Sequence, residues 1–269
     1  MNRLEDEFLA YLKAKIKDRL IMSFNNTDLL LWGVRKNNEV KLLGLTLNID
    51  TNNLRTIRGK IANPSNKVNK IMRTAYSLSN ASNSTFFGIV YSLSGDDYFI
   101  VTDPRNPLDW TKSLEVEETK MSLLIQNFFK TKLGTVGTAK TVNKATSDWF
   151  HVWARANLPL EYVRVNLDGL ILNKDQRPKI LLETKRSFYS VDSWLPWEAD
   201  ARNYYLQNLL ATNSGLGFWT IYHKKGMKVN DATKIAQFMI SAVDLDADRW
   251  ITYHRVVTEA CKVLKLADE

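Results

Sequence analysis

The chain has 269 residues, 45% of them hydrophobic and 25% charged, with a formal net charge of +8. This balance excludes a disordered or fibrous chain and leaves room for one large domain or two smaller, closely packed ones. The single cysteine, Cys261, excludes an intrachain disulfide, and no run approaches the roughly 18 to 20 uncharged apolar residues of a membrane-spanning helix.

The N-terminus, MNRLEDEFLAYLKAKIKDRL, carries acids and bases throughout, where a secretory leader needs an apolar core. A cytoplasmic protein with no membrane partner is therefore expected. Leu4, Phe8, Leu12, Ile16 and Leu20 recur along one helical face, predicting a helix over 3–21. LLLWGV and EVKLLGLTLNI flank the turn-like RKNN, so a hairpin is expected over 28–49. Between Thr51 and Gly95 there is no acidic residue, while Arg55, Arg58, Lys60, Lys67, Lys70 and Arg73 all fall there. A second acid-free tract, Thr119 to Ser147, carries Lys120, Lys130, Lys132, Lys140 and Lys144. Such tracts suit phosphate contact, although solvated surface charge paired with acids elsewhere has the same composition.

Asn63-Pro64-Ser65 opens a predicted helix running to about Ser79. STFFGIVYSL and DYFIVTD then form a second hairpin across Ser-Gly-Asp. These elements make an α/β subdomain over 1–110, and the prolines at 104 and 107 set the expected boundary to a second domain, 111–269. That domain opens with a predicted helix of about 114–132, whose first turns hold Glu115, Glu117 and Glu118 against the positive dipole end. The small-residue loop GTVGTAKTVN and the aromatic DWFHVWARA follow. Two strands, 161–172 and 179–186, are joined by NKDQRP, and a helix of about 196–212 begins near Pro196. GFWTIYHKK reads as a further strand, and 231–242 and 248–265 as helices.

The chemistry concentrates in YVRVNLDGLILNKDQRPKILLETKRSF, residues 162–188. Side chains alternate across a strand, so Glu183 and Lys185 share one face while Leu182 and Thr184 take the other. Asp168 lies on the preceding strand, next to a glycine that lets the backbone bend, and the short turn returns the second strand alongside the first. Three polar groups can then converge at one sheet edge.

In these residues the sequence resembles the PD-(D/E)XK nuclease superfamily, with Asp168 matching the aspartate and Glu183-Thr184-Lys185 the (D/E)XK element. Leu167 stands where many members have proline. The match is strict over 162–188, extends by order of elements over 115–225, and assigns no closer family. It implies a restriction-endonuclease-like α/β fold, a mixed sheet flanked by helices, with the N-terminal subdomain left for nucleic-acid or partner recognition. It further implies Mg²⁺ or Mn²⁺ held by Asp168, Glu183 and the backbone carbonyl of Thr184, with Glu117 or Glu118 as a further carboxylate. Hard carboxylate oxygens suit these ions, and the bound cation would activate water for phosphodiester hydrolysis. Lys185 would position or deprotonate that water, or hold the phosphate. In some members a glutamine and a tyrosine on the following helix join the site; Gln207 and Tyr204 lie on such a helix here, in a different order and spacing.

Most of the superfamily acts on DNA, so DNA is expected ahead of RNA, and a homodimer would suit double-strand cleavage. Nucleic-acid contacts are expected from Arg186, Gln207, His223 and Lys224, beside the basic tract. His151 reads as packing within an aromatic segment, and Trp194, Trp197, Trp219 and Trp250 as core before base-stacking platforms. No nucleophile-elbow or P-loop pattern is present, nor a metal-spaced Cys or His cluster, so other enzyme classes gain no support. The rival reading is a nucleic-acid-binding or assembly protein that keeps the fold without cutting.

Overall fold

The computed structural model describes residues 21–23, 28–34, 39–49, 67–92, 98–129, 149–158, 162–173, 175–187, 189, 200–224, 234–244 and 249–259. They form a mixed α/β chain that divides into two compact units, Asn26–Asn166 and Asn2–Asn25 with Leu167–Glu269. The boundary expected near residue 110 lies inside the first unit, because the strands after it continue that unit's sheet. The helix expected over 3–21 lies outside the described residues, apart from Ile21, and so do Arg55, Arg58 and Lys60.

In the first unit, β2 (Asp28–Val34) and β3 (Glu39–Ile49) form the expected antiparallel hairpin. Helix α1 (Lys67–Ala81) then carries the chain to β4 (Thr85–Ser92), which pairs parallel to β3. β5 (Tyr98–Val101) returns antiparallel to β4, as its turn signal predicts. Leu114–Glu117 departs from expectation: it is strand β6, antiparallel to β5, and helix α2 begins only at Glu118 and runs to Phe129. Leu-Glu-Val-Glu alternates with period two, and Val116 reaches the core from this strand, so edge pairing prevails over the dipole signal. The aromatic segment folds as helix α3 (Trp149–Asn157) and β7 (Tyr162–Leu167) completes a sheet ordered β6-β5-β4-β3-β2-β7. The core joins Phe87, Tyr91 and Phe99 of the sheet to Met121 and Ile125 of α2 and Phe150 and Trp153 of α3.

In the second unit, β1 (Ile21–Ser23), β8 (Gly169–Leu172), β9 (Pro178–Ser187) and β10 (Gly217–Lys224) form a sheet in the order β1-β8-β9-β10. β8 and β9 are antiparallel, whereas β9 and β10 are parallel and joined through helix α4 (Ala201–Asn213). The two helices expected over 231–242 and 248–265 are corrected: β11 (Lys234–Asp244) and β12 (Arg249–Glu259) are antiparallel strands. Both carry Ile, Val and aromatic residues, with Thr as well in β12; these lose rotamer freedom in a helix and pack well on a pleated surface. Helix α4 packs on β9, β10 and β11. Among the described residues no helix is long and apolar enough to cross a membrane.

Candidate active site

The chain leaves β7 and enters β8 across one residue, Asp168. A tight turn then returns it: the Asn173 side-chain carbonyl accepts from the backbone N–H groups of Asp175 (3.1 Å) and Arg177 (2.9 Å), and Gln176 takes a positive φ of 64°. This fixes the β8–β9 register, in which Gly169 faces Leu182, so Asp168 comes to lie beside Glu183 and Thr184. Its carboxylate Oδ2 accepts twice from Thr184, from the backbone N–H at 2.6 Å and from the hydroxyl at 2.7 Å.

Glu183 and Lys185 share a face, as the alternation predicts, and the Lys185 ammonium lies 2.6 Å from Glu183 Oε1. The Glu183 side chain is only 6% exposed and that of Lys185 is 35% exposed, so the lysine reaches outward from a buried partner. The other carboxylate oxygen, Oε2, accepts from Gln207 Nε2 at 3.0 Å. One turn earlier on α4, the buried Tyr204 ring lies with its centroid 5.6 Å from the ammonium, within cation–π range. The helix thus covers the carboxylate with an amide and the lysine with an aromatic face.

Burial drives the Glu183 carboxyl up to about 7; Lys185 opposes the rise, the neighbouring Asp168 charge adds to it, and the bond from Gln207 opposes it. Burial works to lower the pKa of Lys185, but the attraction of Glu183, then of Tyr204 and Asp168, outweighs it and holds the amine well above its ordinary value. Burial also raises the Tyr204 phenol. Lys185 is therefore a firm cation next to a carboxyl that titrates near neutrality.

Among the described residues no group of three or more His, Cys, Asp or Glu side chains gathers as a metal cage. A cation of the Mg²⁺ type needs fewer, since it commonly takes one or two carboxylates and completes its shell with water and phosphate. A residue's N–H and C=O leave an extended strand on the same edge. The Thr184 carbonyl therefore points to the edge where its N–H meets Asp168, past the last residue of β9 that β8 pairs. Two carboxylates whose charges already oppose each other, plus that carbonyl, make a hard-oxygen set that fits such a cation.

Of the other expected residues, some belong to the first unit, some are placed by backbone alone and some are buried in the second unit. Glu117 ends β6 in the first unit, and its exposed carboxylate forms an ion pair with Lys120 at 2.8 Å. Glu118 opens α2. Lys67, Lys70 and Arg73 lie on α1, with Lys70 and Arg73 exposed and the Arg73 Nε donating to Asn69 Oδ1 at 2.7 Å. His223 is in register with Arg186 across β9 and β10, and Lys224 with Ser187. Trp219 is buried, in keeping with its reading as core. Gln207 meets Glu183 rather than the surface, which corrects its expected nucleic-acid contact: the residue is wholly buried.

One polar group next to this site escaped the sequence reading. Thr220 is the register partner of Glu183 on β10 and is fully buried. Its only signal is a lone hydroxyl inside the apolar run Phe218-Trp219-Thr220-Ile221. No family model, curated protein or solved structure matches the chain.

Proposed function

We propose that this protein is a Mg²⁺- or Mn²⁺-dependent nuclease, acting on DNA ahead of RNA, with a second unit of the restriction-endonuclease-like type. The observation that carries the reading is the cluster at the β8–β9 edge, where Asp168 is fastened to Thr184 and the adjacent Glu183 is fastened to Lys185. A protein that only binds nucleic acid gains nothing from two carboxylates at the phosphate path, where they repel the ligand.

Asp168, Glu183 and the Thr184 carbonyl would hold the cation, which when bound supplies Lewis acidity and a water of lowered pKa. Thr184 fixes Asp168 through two donors, so one ligand is set before the ion arrives. Gln207 holds Glu183 from behind, and deprotonation of its carboxyl near pH 7 readies it as a ligand. Lys185 keeps its proton, so its role is to orient the scissile phosphate and offset negative charge developing in the in-line displacement. Its ammonium, held at Glu183 Oε1 in the free protein, would turn to the phosphate when substrate binds. Tyr204 gives the departing ammonium an aromatic floor.

The reading is tested by calorimetric titration with Mn²⁺ and by incubating linear, circular and single-stranded DNA, and RNA, with Mg²⁺, Mn²⁺ or EDTA. Binding that disappears in Asp168→Ala and Glu183→Ala, with cleavage abolished by EDTA, is expected. The preferred substrate then separates an end-dependent exonuclease from an endonuclease. Nucleic-acid binding without cutting in either metal would leave a binding module instead.

A further inference from the structure

Four buried side-chain atoms among the described residues have no hydrogen-bond partner: Gln126 Nε2, Trp153 Nε1, Gln207 Oε1 and Thr220 Oγ1. The first two are both donors and belong to the first unit. The other two belong to residues next to Glu183. Gln207 touches Glu183 through its Nε2, and Thr220 is the residue of β10 in register with Glu183, on the same sheet face. Both are wholly buried. They are also complementary, since the amide oxygen can only accept and the hydroxyl has a proton to donate. An unpaired buried polar atom is costly, and native interiors seldom leave one unmatched.

We infer that Thr220 is a positioning residue for Glu183: one buried water accepts from its hydroxyl and donates to Gln207 Oε1, holding the amide with its NH₂ towards the carboxylate. A polar site with two or more partners is where buried water resides. The bridge matters because an amide has two orientations of nearly equal shape. Turned over, Gln207 would set its carbonyl oxygen against the Glu183 carboxylate. Thr220 removes that alternative and keeps Glu183 aimed at the edge it shares with Asp168. The role assigned to Glu183 as a metal ligand rests on the nuclease reading; the pairing of Thr220 with Gln207 does not.

The test uses the full chain and the variants Thr220→Val, Thr220→Ser, Thr220→Ala, Gln207→Leu and Gln207→Leu/Thr220→Val. Mn²⁺ affinity is read by calorimetry, and urea midpoints are read without metal. Thr220→Val should weaken Mn²⁺ binding about tenfold, as loss of a residue that orients a metal ligand commonly does. Thr220→Ser should restore it, and the double variant should bind no more weakly than Gln207→Leu alone. Thr220→Ala, which removes the hydroxyl without adding bulk, should follow Thr220→Val. Wild-type affinity in Thr220→Val, or fully additive losses in the double variant, would overturn the inference. If the wild type takes up no Mn²⁺, the nuclease reading fails and the urea midpoints judge the pairing: non-additive losses uphold it and additive ones refute it.

Discussion

A carboxyl buried beside an ammonium can settle as an ion pair or as a neutral acid, and at Glu183 these outcomes are nearly balanced. Burial favours the acid, Lys185 and Gln207 favour the anion, and the charge of Asp168 returns the group to about 7. The folded value lies above the ordinary carboxyl value of 4.5, so folding takes up a proton and the resulting stability is present in acid. It is lost as pH rises through about 7. The stability of the metal-free wild type relative to Glu183→Gln should therefore fall between pH 4.5 and 7, by up to roughly 3 kcal/mol, and then level off. Urea unfolding at several pH values in EDTA measures this, and a constant difference would refute the assignment. Mg²⁺ should oppose the trend, stabilising the protein more at pH 8 than at pH 5.5, because the ion binds the deprotonated carboxylate.

At the scale of elements, close packing and register decide what each segment presents. β4 runs so close to the 3-10 turn Trp110–Lys112 that a Cβ on Gly88 would lie 2.8 Å from the wholly buried Trp110 ring. Gly88→Ala should therefore destabilise the protein by about 2 kcal/mol, read as a lowered urea midpoint, because a ring packed against Met72 has nowhere to retreat. The strands around the site were legible because their signals are local: a turn at 173–177 and alternation in β9. The pairing of Glu183 with Lys185 followed from alternation alone. By contrast, the segments of β11 and β12 read as helices from sequence, since apolar residues broken by isolated polar ones fit either period, and pairing of the two segments with each other decides. Thr220 was invisible for a related reason. Its meaning depends on which residue of β10 falls opposite Glu183, and a parallel register set across an intervening helix leaves no trace in spacing. Gln207 could be placed on α4 from sequence, but its inward rotation towards Glu183 could not.

Across the molecule, the two units carry different charged groups. The exposed Lys70 and Arg73 belong to the first, whereas Asp168, Glu183 and Lys185 belong to the second. The net charge of +8 suits a polyanionic partner without identifying one. What distinguishes a cutting protein from a binding one is whether the charged cluster at the β8–β9 edge turns over substrate. The most direct test is nicking of supercoiled plasmid in Mg²⁺ by wild type, Glu183→Gln and Lys185→Ala purified in parallel, each with an EDTA control. Wild-type cleavage should be abolished by EDTA and reduced at least about 100-fold in both variants, in line with the loss of a transition-state charge contact. Equal cleavage by all three proteins, or none by the wild type in Mg²⁺, would contradict it.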